Sequence, residues 1–377
     1  MKTKLLFLLL ASCLVTLAAW LVRAPKPAQA NEVPEKYRDT VHKGLEYLVK
    51  HQCKDGHWEG DDGKHPVAMT ALAGMALLME GSNLHEGKYS ANIRKAVDWL
   101  MDKSQAGREG LIFSEHPSET DCYMHGHGLA TQFLAWASRR DFDDVRRKKL
   151  ADVLTRATRY IIKAQSSQGG WYHTSTVEGH DFATISATAI QIHALYMVGT
   201  TGLPIRSEEV TAQAQEYLKT ELAKHQKGAK RGPNTSKPAE LAAALACRCS
   251  PDGLDYQDAS RAKWIKDCLA EIQVGRDIKF GRDELTHYYY AQAVFNLMLN
   301  AADYNIPVEA SLWSDYRKAM FDHLQRSQNK DGSWPASTES LEGFSVGPVY
   351  SAAVWCTVLQ LDNNCHPLTR QRNLRVF

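Results

Sequence analysis

The chain has 377 residues, 44% of them hydrophobic, and a formal net charge of +2 at pH 7. This length and apolar content are sufficient for one large folded core, and the near-neutral charge argues against a nucleic-acid partner. Two local basic stretches, at 224–231 and 368–375, are interpreted as a solvated loop and a solvated tail. Contact with an anionic membrane surface is the alternative for either stretch.

The N-terminus has the pattern of an export signal. Two lysines precede an apolar run over residues 5–22, and Ala28-Gln29-Ala30 forms a small-x-small cleavage site. We therefore predict a signal peptide over residues 1–30, a mature chain that begins at Asn31, and an exported protein, periplasmic or secreted.

Two alternatives keep the protein at a membrane through its N-terminus. The apolar run is just long enough to span a bilayer, so an uncleaved anchor is the first alternative. A lipoprotein box ending at Cys13 is the second, but the apolar run continues for nine residues beyond that cysteine.

The first amphipathic helix of the mature chain leads into a distinctive phrase. It ends in GLEYLVK, where Leu45, Leu48 and Val49 follow helical spacing, and QCKDGHW comes next at 52–58. A glycine just after a helix suits the left-handed C-terminal position. The tryptophan that follows can then fold back onto apolar neighbours.

The phrase Gln-x-x-Asp-Gly-x-Trp occurs again later in the chain. It reads QSSQGGW at 165–171, with Gln168 in place of the aspartate, and QNKDGSW at 328–334. Both copies follow helical runs. The repeated residues are Gln52, Asp55, Gly56 and Trp58, then Gln165, Gly169 and Trp171, then Gln328, Asp331, Gly332 and Trp334.

The spacing of the copies predicts the number of repeats. Trp58 and Trp171 are 113 residues apart, and Trp171 and Trp334 are 163 apart, close to two and three units of about 55 residues. This period predicts aromatic residues near 113, 226 and 280. Phe113 and Phe280 occur there, while position 226 is glutamine. We therefore predict six units, the fourth without its phrase.

Each unit has a second helix that is apolar nearly all round and rich in alanine. These helices read VAMTALAGMALLM (67–79), GLATQFLAWA (128–137), ISATAIQIHALYMV (185–198), AELAAALAC (239–247), YYAQAVFNLML (289–299) and YSAAVWCTVLQL (350–361). Such helices are typical of a buried position, whereas the amphipathic helices before them suit a surface. The alternation predicts an all-α protein with two concentric rings of six helices, an α/α toroid.

The phrase resembles the QW motif of the prenyltransferase and squalene-cyclase repeat families. The resemblance covers roughly residues 36–366 and implies an α/α toroid domain at 31–366, followed by a basic tail at 367–377. The segments YMHGHGLATQFLAWA and GPVYSAAVWCTVLQLDNNCHPLTRQ are also similar to exported bacterial members of this group. A tetratricopeptide-like solenoid is the alternative, but a period of about 55 residues is too long for it.

Polar residues able to do chemistry recur where the inner helices start. Helix N-termini carry free N–H groups and a positive dipole end, and in a toroid these starts share one rim. The residues there are His65, Asp121, Cys122, His125, His127, His173, His180, Asp181, Asp283, His287, Tyr288, Tyr289, Glu342 and Tyr350.

A zinc site is the first hypothesis for this rim. The segment GRDELTHYYYAQAV resembles the part of the protein prenyltransferases that supplies a zinc-binding histidine, which implies that role for His287. That family also uses Asp-x-Cys, but the segment DFATISATAI, which begins at Asp181, contains no cysteine. Zinc held by His125, His127 and His287 is the resulting hypothesis, because neutral imidazole suits this ion. The alternative is that each histidine caps or packs against its own helix.

Acid chemistry on an alkene is the second hypothesis. Squalene cyclases use Asp-x-Asp-Asp at an inner-helix start, but here these letters occur at 141–144, before an amphipathic helix, where they suit capping. Near the cyclase position only Asp181 remains. The hypothesis makes Asp181 the acid, assisted by His180, with Tyr288 orienting the substrate.

These resemblances imply cyclase-like or transferase-like action on an isoprenoid or other apolar small molecule. One alternative is a secreted polysaccharide lyase or hydrolase, since such enzymes also use α/α toroids. Another is a non-catalytic module that binds a lipid or a protein, with Trp136, Phe295, Met298 and Trp355 lining its cavity. The seven cysteines outside the leader are an odd number and predict no disulfide pattern.

Overall fold

The computed structural model describes residues 32–106, 108–226, 237–249, 265–266, 269, 284–300, 309–335 and 346–369. The predicted leader, Asn31, Phe280, Asp283, Glu342 and the tail beyond residue 369 lie outside the described residues, as does the side chain of Gln226. Within the described ranges, no helix is long and apolar enough to cross a membrane.

Eleven α-helices occupy the described part of the chain. They are α1 (Glu35–Lys50), α2 (Pro66–Met79), α3 (Ser90–Ala106), α4 (Tyr123–Ser138), α5 (Asp144–Lys163), α6 (Ile185–Gly199), α7 (Glu208–Gln226), α8 (Lys237–Cys249), α9 (Glu284–Asn300), α10 (Leu312–Ser327) and α11 (Pro348–Leu359). The fifth predicted amphipathic helix falls within 250–283, where only three residues are described.

The six apolar helices form a closed inner ring. In order, α2, α4, α6, α8, α9 and α11 each pack against the next, and α11 packs against α2. Nearly every residue of α2, α6 and α11 is buried. Burial on all sides is what their uniform apolar composition requires, since removing that surface from water is favourable.

The amphipathic helices α1, α3, α5, α7 and α10 pack outside this ring. Helix α3 packs on α2, α5 on α4, α7 on α6, and α10 on α9. Helix α1 packs on the last inner helix, α11, and against α10, which closes the outer layer at this point. The predicted α/α toroid is therefore confirmed.

The three repeated tryptophans are buried at turns between an outer and an inner helix. Their exposed fractions are 0% for Trp58, 0% for Trp171 and 1% for Trp334. Each indole N–H donates to a carbonyl ten residues earlier, at 2.6, 2.8 and 2.8 Å, in the outer helix just before the turn. The turn thus folds back on its own helix in the same way each time.

The repeated glutamines join each turn to the next outer helix. The side-chain N–H of Gln52 donates to the carbonyl of Gly56 at 2.8 Å and to that of Asn92 in α3 at 3.0 Å. Gln328 donates to its own turn at Gly332 and to Thr40 in α1, at 3.0 and 2.9 Å. The last bond joins the sixth unit to the first.

The repeated glycines are required by both conformation and space. Gly56, Gly169 and Gly332 have φ of +107°, +89° and +93°. A Cβ at each would come within 3 Å of a backbone carbonyl oxygen in the next outer helix. Any other residue would therefore strain the turn and push that helix away.

The second unit keeps the turn but not the aromatic residue predicted for it. Gly110 has φ of +104° and meets the backbone of Arg156, so it takes the glycine position. The tryptophan position two residues later is Ile112, which is fully buried. The prediction of Phe113 is wrong by one residue: its ring is only partly buried and packs on the edge of Tyr123, 6.0 Å between centroids.

Candidate functional site

Loops before α2, α4 and α6 form the described part of the rim, and Glu119 fixes two of them. Its buried carboxylate accepts the N–H of Val67 at 2.8 Å and that of Ser114 at 3.1 Å. Ser118 accepts the N–H of His65, the residue before α2, at 2.8 Å. Burial raises the pKa of Glu119 to about 7, against the lowering effect of these backbone donors.

His125 and His173 meet in this rim. Their ring centroids lie 4.8 Å apart at 87°, and the N–H of Met124 donates to the carbonyl of His173 at 3.0 Å, which ties the two loops together. The Nε2 atom of His125 is sealed from solvent and has no hydrogen-bond partner among the described residues. Burial, with the neighbouring His173 and His65, lowers the pKa of His125 to about 3, so this imidazole is neutral.

Two further rings extend this pair to the surface. Tyr172 lies 4.6 Å from His173 and 5.5 Å from Phe182, between ring centroids. Phe182 is 58% exposed, a large apolar ring left in solvent beside polar groups. We call His125, His173, Tyr172 and Phe182 the mouth row. It runs from a buried neutral imidazole to an exposed phenyl ring.

Polar groups hold the loops around the mouth row. The hydroxyl of Tyr123 donates to Glu178 at 2.8 Å and accepts the N–H of Ser175 at 2.8 Å. The Sγ of Cys122 donates to the carbonyl of Ser118 at 3.1 Å and lies 3.9 Å from His65 Nδ1. The rim is thus a folded, hydrogen-bonded surface rather than a set of independent helix caps.

Asp181 lies in this rim but is not placed as an acid. The exposed carboxylate of Asp181 accepts two bonds from Ser167, one from its backbone N–H at 2.7 Å and one from its side-chain hydroxyl at 2.6 Å. These bonds lower the pKa of Asp181, so it is ionised at neutral pH and has no proton to donate. The hypothesis that Asp181 protonates an alkene therefore finds no support in the geometry.

The two residues predicted to assist Asp181 make separate contacts. His180 is exposed, and its Nδ1 lies 2.7 Å from the hydroxyl of Thr174. Tyr288 is buried in α9 against Tyr289, at 5.2 Å between centroids, and burial raises its pKa to about 12. Within the described residues, no hydrogen bond or ring contact joins Tyr288 to His180.

The three histidines predicted to hold zinc do not come together. His127 accepts the N–H of Ile112 at Nδ1, at 3.0 Å, and its Nε2 lies 3.2 Å from the carbonyl of Ala157. His287 pairs with the hydroxyl of Tyr316 at 3.2 Å. In the described part of the chain, His125, His127 and His287 do not form a set of ligand atoms within 4.8 Å of one another.

His127 instead completes the turn of the second unit. In the first and third units, the backbone N–H of the tryptophan donates to a threonine hydroxyl of the inner helix, Thr70 or Thr188. In the second unit the N–H of Ile112 donates to His127. Burial lowers the pKa of His127 to about 4, which keeps the ring neutral in this role.

The Asp-x-Asp-Asp letters have the structural role expected from their position. Asp141 is buried and accepts two bonds from the Arg146 guanidinium, both at 2.8 Å, while Asp143 caps α5 through the N–H of Arg146 at 2.9 Å. Of the apolar residues proposed to line a cavity, Phe295 and Trp355 are buried in the core and Met298 is 39% exposed. No disulfide joins any of the described cysteines.

Some rim residues escaped the sequence-based prediction. Tyr172 and Phe182 lie in loops, where periodicity carries no information. The only available signal was that both lie within three residues of a histidine or aspartate already singled out, in WYHTS and GHDFAT. Glu119 gave no signal, because its burial depends on a loop conformation.

Comparison with known proteins supports the family resemblance and the fold. Residues 28–183 match the family model of the squalene-hopene cyclase C-terminal domain. The match supports the resemblance to a squalene-cyclase or prenyltransferase-like toroid family over that part of the chain. No curated protein matches the sequence significantly.

Solved structures with a similar fold include glycosidases. An inactive variant of alpha-1,6-mannanase from Salegentibacter sp., in complex with alpha-1,6-mannotriose, superposes with a TM-score of 0.60 and 6% identity, covering 87% of this chain and 99% of the mannanase. A glycosidase variant in complex with glucose gives 0.51 and 14%, covering 88% and 98%. At these identities the similarity establishes the toroid fold alone.

Proposed function

We propose that this toroid, whose N-terminal part matches the squalene-hopene cyclase C-terminal domain, binds a carbohydrate chain at its mouth row. The observation that carries the proposal is the row itself, in which an exposed phenyl ring leads to a buried imidazole nitrogen with no described partner. Sugar rings present C–H faces that pack on aromatic rings, and hydroxyl groups that need polar partners. A site for such a ligand combines apolar rings with a few placed polar groups.

The neutral state of His125 suits this ligand. A neutral imidazole has one nitrogen that donates and one that accepts, so its Nε2 can bond a hydroxyl group in either sense. Because this atom is sealed in the ligand-free rim, a sugar hydroxyl must displace a neighbouring ring to reach it. The new bond would then satisfy a buried polar group that otherwise carries a free-energy penalty. Phe182 would contribute contact area at the solvent side of the same ligand.

The burial of large side chains on the inner helices supports a ligand at the mouth rather than deep inside. Met75, Phe133 and Tyr289 are at most 2% exposed, so these side chains fill the core. A polyisoprenoid chain would need an enclosed apolar cavity instead. Asp181, the residue predicted to protonate an alkene, is instead held as a carboxylate by its bonds to Ser167.

The second candidate is an isoprenoid or other lipid at the same mouth. It is favoured by the squalene-hopene cyclase match over residues 28–183 and by the exposed apolar ring of Phe182. The two candidates differ in what the ligand must offer to His125. A carbohydrate supplies hydroxyl groups there, whereas a hydrocarbon chain leaves Nε2 without a partner.

A binding experiment separates the candidates. Titration calorimetry of the purified mature chain would use alpha-1,6-mannotriose and a panel of other oligosaccharides, with farnesyl diphosphate and squalene in detergent as the lipid arm. We expect an oligosaccharide to bind and Phe182→Ala to weaken its binding by about 2–10-fold, since an aromatic contact contributes roughly 0.5–1.5 kcal/mol beyond area burial. His125→Ala should weaken it further through loss of the polar contact.

The matched control is Phe142→Ala. Phe142 is also an exposed phenylalanine, at 75%, but it follows the opposite, C-terminal end of an inner helix. Its removal should leave binding unchanged. Lipid binding without oligosaccharide binding would favour the second candidate, and oligosaccharide binding that is unchanged in Phe182→Ala would place the site elsewhere.

A further inference from the structure

The turn of the first repeat brings together three side chains of metal-binding types. Cys53, His57 and Glu59 offer ligand atoms that all lie within 4.8 Å of one another. His57 and Glu59 lie within hydrogen-bond distance, with Nε2 and Oε2 3.2 Å apart. This turn lies in the phrase QCKDGHWE, and none of these three residues is among the repeated ones.

The repeat fold itself sets Cys53 beside His57. The N–H of Cys53 donates to the carbonyl of His57 at 2.8 Å, which closes a tight turn. The same bond joins Ser166 to Gly170 at 2.8 Å in the third unit, and Asn329 to Ser333 at 2.9 Å in the sixth. The backbone therefore brings these two positions together in every intact copy.

Of these three copies, only the first carries metal-binding side chains at the positions of Cys53, His57 and Glu59. The third unit has Ser166, Gly170 and Tyr172 there, and the sixth has Asn329, Ser333 and Pro335. The ordinary turn therefore forms without cysteine, histidine or glutamate. Their presence in the first unit needs an explanation other than folding of the turn.

His57 is oriented as metal-binding histidines commonly are. Its Nδ1 lies 2.6 Å from Asp55 Oδ1, and its ring stacks on Trp99 at 4.9 Å between centroids. The indole N–H of Trp99 donates to the other oxygen of Asp55 at 3.1 Å. A carboxylate that accepts the Nδ1 proton fixes the tautomer and directs the Nε2 lone pair outward, toward Glu59.

We propose that Cys53 Sγ, His57 Nε2 and the Glu59 carboxylate bind one divalent transition-metal ion, with Zn²⁺ the best match. A thiolate, an imidazole and a carboxylate are all ordinary zinc ligands, and three protein ligands leave a fourth tetrahedral position for water. With metal–ligand bonds of about 2.0–2.3 Å, neighbouring ligand atoms lie roughly 3.3–3.8 Å apart. Side-chain rotations suffice to reach that spacing from the separations present here.

Metal binding at this turn releases a proton. The thiol of Cys53 must become a thiolate to bind, and its proton passes to solvent. Metal affinity should therefore increase as the pH rises.

Cobalt provides the direct test, because Co²⁺ takes zinc sites and reports thiolate ligands by a charge-transfer absorption. The tag-free, reduced mature chain would be titrated with Co²⁺ and then with Zn²⁺. We expect the absorption to saturate at one Co²⁺ per chain and to disappear when Zn²⁺ displaces it. Cys53→Ser should abolish it, and His57→Ser should weaken Co²⁺ binding by at least 10-fold.

Both serine substitutions copy residues from the protein's own repeats. Ser166 of the third unit corresponds to Cys53, and Ser333 of the sixth unit corresponds to His57. These variants should therefore keep the circular-dichroism spectrum of the parent. Cys365→Ser, which changes a partly exposed cysteine elsewhere, should bind Co²⁺ normally, and so should Phe182→Ala. A wild-type chain without the absorption, or an absorption that persists in Cys53→Ser and is lost in Cys122→Ser, would overturn the proposal.

Discussion

Each repeated tryptophan combines two contributions that substitution can separate. The ring fills the core at the turn, and the indole N–H donates to a buried carbonyl in its own outer helix. We expect Trp334→Ala to lower the free energy of unfolding by about 3–5 kcal/mol, as large core truncations do. Trp334→Phe keeps most of the ring and should cost less, although the carbonyl of Leu324 loses its indole donor.

Urea unfolding of the two variants measures this difference. Trp58 and Trp171 make the same bond at the same distance along the chain, so their pairs of variants should give the same order. Equal losses for the Ala and Phe variants at all three sites would show that the hydrogen bond, rather than ring packing, dominates.

Buried neutral histidines predict a loss of stability in acid. Burial lowers the pKa of His127 and of His193 to about 4, whereas the unfolded chain has its ordinary value near 6.5. Between these values the unfolded state binds more protons, so stability is full above about pH 6.5 and falls as the pH drops to about 4. Each ring contributes up to about 3 kcal/mol to this fall.

The pH dependence can be assigned with one variant. His127→Asn keeps an acceptor for the N–H of Ile112 but cannot take up the proton, so unfolding measured from pH 7.5 to 4 should show a shallower loss. Glu119, with its pKa raised to about 7, acts in the opposite direction, since its contribution is lost as the pH rises through that value. An unchanged loss of stability with falling pH in His127→Asn would mean that this ring takes up its proton as readily in the folded protein as in the unfolded chain.

At the scale of elements, the glutamine of each turn determines how neighbouring outer helices are held. Gln165 joins its turn to α7, and Gln328 joins its turn to α1, each through two bonds to backbone carbonyls. Replacing either with leucine removes both bonds and should cost about 1–3 kcal/mol. The two variants should lose a similar amount of stability but loosen different outer helices.

Hydrogen exchange locates the effect. Gln328→Leu should speed amide exchange in α1, and Gln165→Leu should speed it in α7, while each leaves the other helix close to wild type. Faster exchange over the whole chain in either variant would show that the turns are coupled through global unfolding instead of acting on one neighbour.

The helices were predictable because their patterns are periodic and repeated. Uniform apolar composition predicted the six inner helices, and the tryptophan spacing predicted where the turns lie. The prediction of Phe113 was wrong by one residue because the second unit has Ile112 at the aromatic position, with its backbone N–H donating to His127. A repeat period fixes a turn only to within a residue or two when its signature residue is missing.

The candidate site was less predictable for a physical reason. That polar residues gather at inner-helix starts follows from the fold, but their roles depend on loop conformation. Asp181 accepts two bonds from Ser167, across a turn that periodicity does not describe. His125 and His127 lie two residues apart in α4, so they face different neighbours: His125 meets His173 in the rim, whereas His127 reaches the outer helix α5.

For the whole molecule, export remains a prediction with a direct measurement. The cleavage pattern at Ala28-Gln29-Ala30 predicts that the mature chain from its own host begins at Asn31. N-terminal sequencing or intact mass of protein from that host would confirm it. Membrane-bound protein that keeps residue 2 would support the anchor, and a lipid on Cys13 would support the lipoprotein alternative.

The bond from Gln328 to Thr40 spans 288 residues and has a consequence for how the protein is made. Helix α1 packs on α10 and α11, the last two helices among the described residues. On a nascent chain, the face of α1 that these helices cover therefore stays open until residue 359, where α11 ends, has emerged. During that interval a chaperone or a second copy of the chain can reach this face.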